Sequence, residues 1–257
     1  MAKSRIGQNF LYDRSILAEI IHAATLSEGD TVVEIGPGPG ILTMLLSEKV
    51  KKVIAIELDE ELYGRLRAAF AGYRNVELVR GDALKFAFES IGDFKVVANI
   101  PYYITTPIIF RLLEARKTLK TMTLTIQKEV AERIVAAPGG KDYGVLSIMI
   151  QYYALPEMNF IIPKEAFRPV PRVDSAVVHI RILEKPPVQP KDEKMFFRVV
   201  KTAFSQRRKT IHNSLRSLGE DMKGILPKAG IDPQRRPETL SLYEFVTLSD
   251  LLAEKSL

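Results

Sequence analysis

Thr31-Val32-Val33-Glu34-Ile35-Gly36-Pro37-Gly38-Pro39-Gly40 is the stretch on which the fold turns. Its first half is β-branched apart from Glu34, the pattern of a buried strand, and its second half is glycine and proline only. Ile41–Lys49 then reads as a helix. Outward from this strand–turn–helix the same alternation repeats. Val53–Glu57 is a strand and Glu60–Phe70 a helix; Val76–Val79 and Phe94–Ala98 are strands; Pro107–Ala115 is a helix, Leu119–Ile126 a strand and Glu129–Ala136 a helix. The rhythm predicts an α/β fold with a mostly parallel sheet covered on both faces. Right-handed crossovers set the C-terminal strand tips along one edge, where ligands bind in such sheets. Met158–Ile162 and Ser175–Ile182 read as a closing antiparallel pair of strands.

Glu184–Lys191 carries three prolines and no periodicity, and reads as a linker. It separates a catalytic-type domain over 1–184 from a helical domain over 191–257, in which Glu193–Leu218, Met222–Ala229 and Leu242–Leu252 have helical patterns. The net charge of +6 is uneven: 1–184 hold 23 Lys/Arg against 22 Asp/Glu, and 185–257 hold 14 against 9. The excess is either a solvated basic surface or a polyanion-binding module on a near-neutral core. With no cysteine, disulfides, iron–sulfur clusters and cysteine-bound zinc are excluded, and three scattered histidines (His22, His179, His212) argue against a metal site. No long uncharged apolar run or secretory leader is evident, so a cytoplasmic protein without a membrane partner is expected.

The loop Gly36–Gly40 has G-x-G-x-G spacing, not the G-x-G-x-x-G of a dinucleotide fingerprint. Its two prolines remove N–H donors, which disfavours a phosphate cradle. It is either a tight turn alone or a close backbone approach for a nucleoside bearing an amino-acid tail. Glu57, at the next strand tip, suits a ribose diol, and Asp82, after the third strand, suits an exocyclic amine. Glu34 is expected to stay ionised by accepting loop N–H groups. Asn99-Ile100-Pro101-Tyr102 follows a further strand. It offers an amide, a carbonyl freed where proline breaks the ladder, and a flat ring, together suited to a planar group bearing an NH2.

Taken together, these residues resemble the class I S-adenosylmethionine-dependent methyltransferases and, more narrowly, the KsgA-type family of small-subunit ribosomal RNA adenine dimethyltransferases. The resemblance spans nearly the whole chain. It rests also on Gly7-Gln8-Asn9-Phe10-Leu11, on Gln127–Arg133, on Phe167-Arg168-Pro169-Val170-Pro171-Arg172-Val173-Asp174-Ser175 and on Phe204-Ser205-Gln206-Arg207-Arg208-Lys209-Thr210. It implies a Rossmann-like seven-stranded methyltransferase sheet with a small all-helical C-terminal domain, and S-adenosyl-L-methionine as cofactor. Asn9, Leu11, Gly36, Gly38, Glu57, Asp82 and Asn99 would hold that cofactor. Asn99, Ile100, Pro101 and Tyr102 would carry the chemistry. Phe167 would help grip the target base, unless it is a loop aromatic filling a core gap. The implied substrate is a pair of adjacent adenines near the 3′ end of 16S rRNA, each dimethylated at N6 within a pre-ribosomal 30S particle, by an enzyme expected to be monomeric. Two alternatives remain open: a large-subunit rRNA methylase conferring antibiotic resistance, and a non-catalytic RNA-binding assembly factor on the same fold.

At 100° per residue along one long helix, Lys194, Arg198, Lys201, Arg208, His212 and Arg216 form a stripe beside an apolar face of Phe197, Val200, Phe204, Ile211 and Leu215. Lys194, Arg198, Lys201, Arg208 and Lys209 are the expected RNA contacts, the competing reading being a solvated helix face. Arg207 projects with the apolar set and is expected to pair with an internal acid.

Overall fold

The computed structural model describes residues 9–206, 208–218 and 222–255. Gly7 and Gln8 of the opening motif, and Arg207, lie outside the described residues. The chain divides into two compact units: one runs to Ala131 and resumes over Glu157–Ile182, and the other comprises Glu132–Pro156 and the chain from Leu183 onward.

The first unit is built on strands β1 (Phe10–Leu11), β2 (Thr31–Ile35), β3 (Lys52–Glu57), β4 (Val76–Arg80), β5 (Phe94–Asn99), β6 (Leu119–Gln127), β7 (Ala154–Ile162), β8 (Phe167–Arg168) and β9 (Ser175–Ile182). Seven of them form one sheet in the order β4-β3-β2-β5-β6-β9-β7. The pairs β3–β4, β2–β3, β2–β5 and β5–β6 are parallel, and β9 is antiparallel to β6. Strand order reverses at β2, whose neighbours are β3 and β5, so the tips of β2 and β5 flank the crevice where doubly wound sheets bind ligands. The expected α/β architecture with an antiparallel finish is therefore present.

Burial explains the strand composition. In β3 every residue after Lys52 is buried, which requires a continuous apolar run and leaves Glu57 as the exception at the tip. Helices α1 (Arg14–Ala23), α2 (Ile41–Ser47), α3 (Glu60–Ala69) and α4 (Thr105–Glu114) cover the sheet, and α5 (Lys128–Val135) follows β6. Asp13 and Asp59 cap α1 and α3 by accepting the first free N–H groups, and Glu60 and Glu61 add favourable charge at the start of α3. Gly40, at φ +84°, starts α2; a Cβ there would lie 2.8 Å from the side chains of Leu66 and Phe70, so glycine is what lets α2 sit against α3.

The two-residue ladder β1–β8 was not legible in the sequence. It pairs Leu11 with Phe167, and both side chains join an apolar cluster with Leu17, Ile20, Val32 and Leu46.

The second unit contains α6 (Val145–Tyr153), α7 (Glu193–Phe204), α8 (Ile211–Ser214), α9 (Met222–Lys228) and α10 (Leu242–Lys255). Its core includes Tyr143, Tyr152, Phe196, Phe204, Leu226 and Phe245. The helical unit takes in the chain from Leu183 onward together with Glu132–Pro156. The reason is packing: Ile148 and Tyr152 of α6 lie in the core of the helical unit, and no change in composition marks that stretch of sequence.

The single long helix expected over 193–218 is corrected. α7 ends at Phe204, and Thr210 caps α8 by accepting the Asn213 N–H. Ser205 and Thr210 turn their hydroxyls to local backbone groups, the behaviour that makes such residues end helices. Lys194, Arg198 and Lys201 thus share one face of α7, while Arg208 and Lys209 sit in the turn beyond it and do not continue the stripe.

Candidate functional site

Of the expected site residues, the tips of β2 and β5 bring Gly36 and the run Asn99 to Tyr102 together with Asn9, and Glu57 at the tip of β3 meets the glycine loop at Gly38. A cleft is lined by Asn9, Phe10, Gly36 and the run Asn99 to Tyr102. Gly36 and Gly38 both have positive φ. A Cβ on Gly38 would lie 2.6 Å from the Phe10 ring, so the loop and the β1 segment close on one another only because residue 38 lacks a side chain.

Glu57 is buried at the tip of β3. One carboxylate oxygen accepts the Gly38 N–H at 3.2 Å and the other the Asp59 N–H at 2.9 Å. A carboxylate has about four lone-pair sites, so each oxygen keeps capacity for a hydroxyl donor. Burial pushes this carboxyl up, and the backbone N–H groups of Asp59, Gly38 and Leu58 oppose that shift without cancelling it. Leu58, the next residue, is 62% exposed. An apolar side chain left in solvent beside a buried acid suits the face of a flat ring. Sequence reading missed it, because a single leucine after an acid carries no periodic signal. Asp82 accepts the Leu84 N–H with one oxygen at 3.0 Å, and its second oxygen has no partner among the described residues.

Glu34 differs from expectation. Thr43 Oγ1 donates to it at 2.5 Å, and burial pushes its carboxyl up to about 8. The group is therefore mainly protonated at neutral pH, not ionised by loop N–H groups. It ties β2 to α2 from inside the core.

Asn99 is held by its nitrogen. Nδ2 donates to the Asn9 carbonyl at 2.9 Å, which fixes the amide orientation and frees Oδ1 as an acceptor. The Ile100 N–H donates to the Thr125 carbonyl at 3.0 Å. The Ile100 carbonyl has no partner among the described residues, as a position before proline permits. Pro101 opens a 3-10 turn, its carbonyl accepting the Ile104 N–H. Tyr102 is half-buried, and its hydroxyl lies 2.8 Å from Ser175 Oγ. Burial pushes the Tyr102 hydroxyl up, so it serves as a hydrogen-bonding group and not as a base. Ser175 is fully buried, and its role in pinning the Tyr102 ring was not visible in the late motif that contains it.

Leu11 and Phe167 are placed elsewhere. They face each other across β1–β8 inside the apolar cluster, at 5% and 0% exposure, and do not line the cleft. Among the described residues no group of three or more His, Asp or Glu is placed to hold a metal ion. None of the helices there is long and apolar enough to cross a membrane.

In the second unit, Lys194, Arg198, Lys201, Arg208 and Lys209 are all exposed. None has an ion-pair partner among the described residues.

Comparison with known proteins places this geometry. The family model described as ribosomal RNA adenine dimethylase matches residues 1–254. The ribosomal RNA small subunit methyltransferase A of Moorella thermoacetica is 49% identical over 265 residues, covering 97% of this chain and 92% of the relative. Its namesake from Clostridium botulinum is 48% identical over 254 residues, covering 96% and 92%. Among solved structures, a dimethyladenosine transferase from Plasmodium falciparum superposes with a TM-score of 0.80 at 28% identity, covering 96% of this chain and 98% of that one. The 23S rRNA methyltransferase ErmE gives 0.77 at 29% identity, covering 95% and 100%. Use of S-adenosylmethionine follows from family and fold, and the glycine turn, the half-satisfied Glu57 carboxylate and exposed Leu58 fit a nucleoside with an amino-acid tail. A cleft of this construction, on a sheet of this order, in a chain matched nearly end to end, makes the protein a member of the ribosomal RNA adenine dimethylase family.

Proposed function

We propose that this chain dimethylates the N6 amines of two adjacent adenines near the 3′ end of 16S rRNA, as a monomer acting in the cytoplasm on a pre-ribosomal 30S particle. The observation that carries the reading is the anchored amide of Asn99, a residue that lines the cleft: its nitrogen donates to the Asn9 carbonyl, which leaves Oδ1 as the acceptor. The adenine N6 lone pair is delocalised into the ring and is a poor nucleophile. Asn99 Oδ1 and the Ile100 carbonyl, accepting the two N–H groups in the first transfer and the one that remains in the second, draw the amine out of conjugation and raise the electron density on nitrogen. Bound S-adenosylmethionine supplies an electrophilic methyl group on a good leaving group. The task left to the chain is orientation, with no strong base required before attack, since the amine proton becomes acidic once nitrogen is alkylated and leaves to water.

Glu57 accepts from the cofactor ribose, Asp82 from its exocyclic amine, and Gly36 and Gly38 let the tail approach the backbone. Asn9 positions Asn99, and Leu11 with Phe167 holds β1, and thereby Asn9 and Phe10, in place. Tyr102, pinned by Ser175, is the wall against which the extruded adenine stacks. Phe167 reaches the base only by leaving its apolar cluster, so Phe167→Leu, which keeps the packing and removes the ring, separates the two roles. Lys194, Arg198, Lys201, Arg208 and Lys209 contact RNA phosphates.

Methylation of isolated small-subunit particles, compared with naked large-subunit rRNA, tests the reading. Labelled methyl groups on adenines of the first only are expected. Transfer to large-subunit rRNA only would establish the resistance-methylase alternative, and transfer to neither would leave a non-catalytic assembly role.

A further inference from the structure

A second pocket, of about 250 Å³, lies in the first unit and shares no lining residue with the cleft of Asn9 and Asn99. Its lining includes Tyr12, Arg14, Ile41, Met44, Phe70 and Tyr73. No acidic side chain lines it.

Three observations set its chemistry. Tyr12 and Tyr73 are 48% and 39% exposed, an unusual cost for two rings bordering one opening. Tyr73 is braced edge-on by Phe70, with ring centroids 4.9 Å apart, so it presents a fixed ring. Arg14 is exposed and has no ion-pair partner among the described residues. Neighbouring Asp13 is engaged in capping α1 through Ser15 and Ile16. Aromatic walls, a thioether and one free guanidinium, with no acid, are complementary to a flat ring joined to an anion.

Position identifies the source of that ring. One short segment serves both openings: Asn9 and Phe10 line the catalytic cleft, and Tyr12 and Arg14 line the second pocket. RNA whose target adenine enters the cleft therefore runs close to the second pocket. We propose that this pocket captures an unstacked rRNA nucleotide outside the target, its base against Tyr12 and Tyr73 and its phosphate on Arg14. The proposal rests on the rRNA substrate reading above. It also assigns the Asn9–Arg14 segment a second task, because a nucleotide seated there holds the segment whose Asn9 carbonyl orients Asn99.

The test uses the full chain and undermethylated small-subunit particles. Tyr73→Ala is expected to weaken particle binding by about 5- to 150-fold, the worth of one stacked base. Tyr73→Phe, which keeps the ring, should bind as wild type does. Arg14→Glu should reduce the log–log salt slope of binding by roughly 0.7 or more, the share of one phosphate contact on single-stranded RNA. Cofactor affinity should be unchanged in all three. Ultraviolet crosslinking of the wild-type complex should place an rRNA nucleotide on Tyr12 or Tyr73. Wild-type affinity in both Tyr73→Ala and Arg14→Glu, with normal methylation, overturns this inference and leaves the substrate reading intact. A crosslink formed by adenosine 5′-monophosphate alone, with particle binding unaffected by the substitutions, makes the pocket a free-nucleotide site and also overturns it. Failure of the wild-type chain to bind or methylate the particle removes both.

Discussion

The strand tips of the first unit and the cations of the second use polar side chains in opposite ways. At the tips, almost every functional group already has a partner that fixes it: Glu57 holds two backbone N–H groups, Asn99 is tied to Asn9, and Tyr102 to Ser175. On α7 and the turn after it, Lys194, Arg198, Lys201, Arg208 and Lys209 are exposed and unpaired among the described residues. Chemistry on a single amine needs atoms held in place before the substrate arrives. Attraction for a polyanion needs charge on a surface and tolerates loose geometry. The difference predicts that substitutions in the first region change rate or cofactor affinity sharply, and that substitutions in the second change RNA affinity in a salt-dependent way.

The largest effect after loss of the catalytic amide is expected at Glu57. Glu57→Gln turns an NH2 toward either the Gly38 or the Asp59 N–H and removes the charge, so S-adenosylmethionine affinity should fall by roughly 10- to 100-fold, measured calorimetrically. The triple change Lys194/Arg198/Lys201→Ala comes next. It should reduce the log–log salt slope of RNA binding by about 2. An unchanged slope would remove the proposed footprint, and a loss of cofactor affinity would blur the contrast between the regions. Tyr102→Phe keeps the ring and loses its anchor to Ser175, so turnover should fall by about 2- to 10-fold with unchanged binding.

The smallest effect on activity is expected at Glu34, where the readout is stability. Its folded-state pKa, about 8, is above the ordinary carboxylate value. Between roughly pH 4.5 and 8 the unfolded chain has released this proton and the folded chain keeps it, so Glu34 lowers stability progressively as pH rises through that window. Glu34→Gln, which keeps a hydrogen-bonding partner for Thr43, should flatten that part of the stability profile in denaturant titrations. A parallel profile would show that Glu34 is ionised in the fold.

The parts of the molecule legible in its sequence are those encoded by short periodic patterns. Apolar runs ending in Gly36, Glu57 and Asn99 disclosed the parallel strands, and because such strands end along one edge they pointed to the cleft where Gly36 and Asn99 meet. What the sequence concealed depends on contacts distant along the chain. Leu11 and Phe167 are 156 positions apart and meet in a ladder too short to leave a pattern. Tyr102 and Ser175 meet through single hydroxyls. Glu34 looked like a loop-binding carboxylate until burial and Thr43 were visible. The helical periodicity of 193–218 runs through Ser205 and Thr210, whose local hydrogen bonds end one helix and start another without interrupting the apolar spacing.

The central claim is that an amide oriented by Asn9 performs the activation at N6. Mass mapping of adenines in small-subunit particles, incubated with cofactor and either wild-type or Asn99→Ala protein, tests it most directly. The account predicts dimethylated adjacent adenines with the wild type. With Asn99→Ala it predicts a loss of roughly 100- to 1,000-fold in rate, while particle and cofactor binding are largely retained. Dimethylation at the wild-type rate by Asn99→Ala would contradict it.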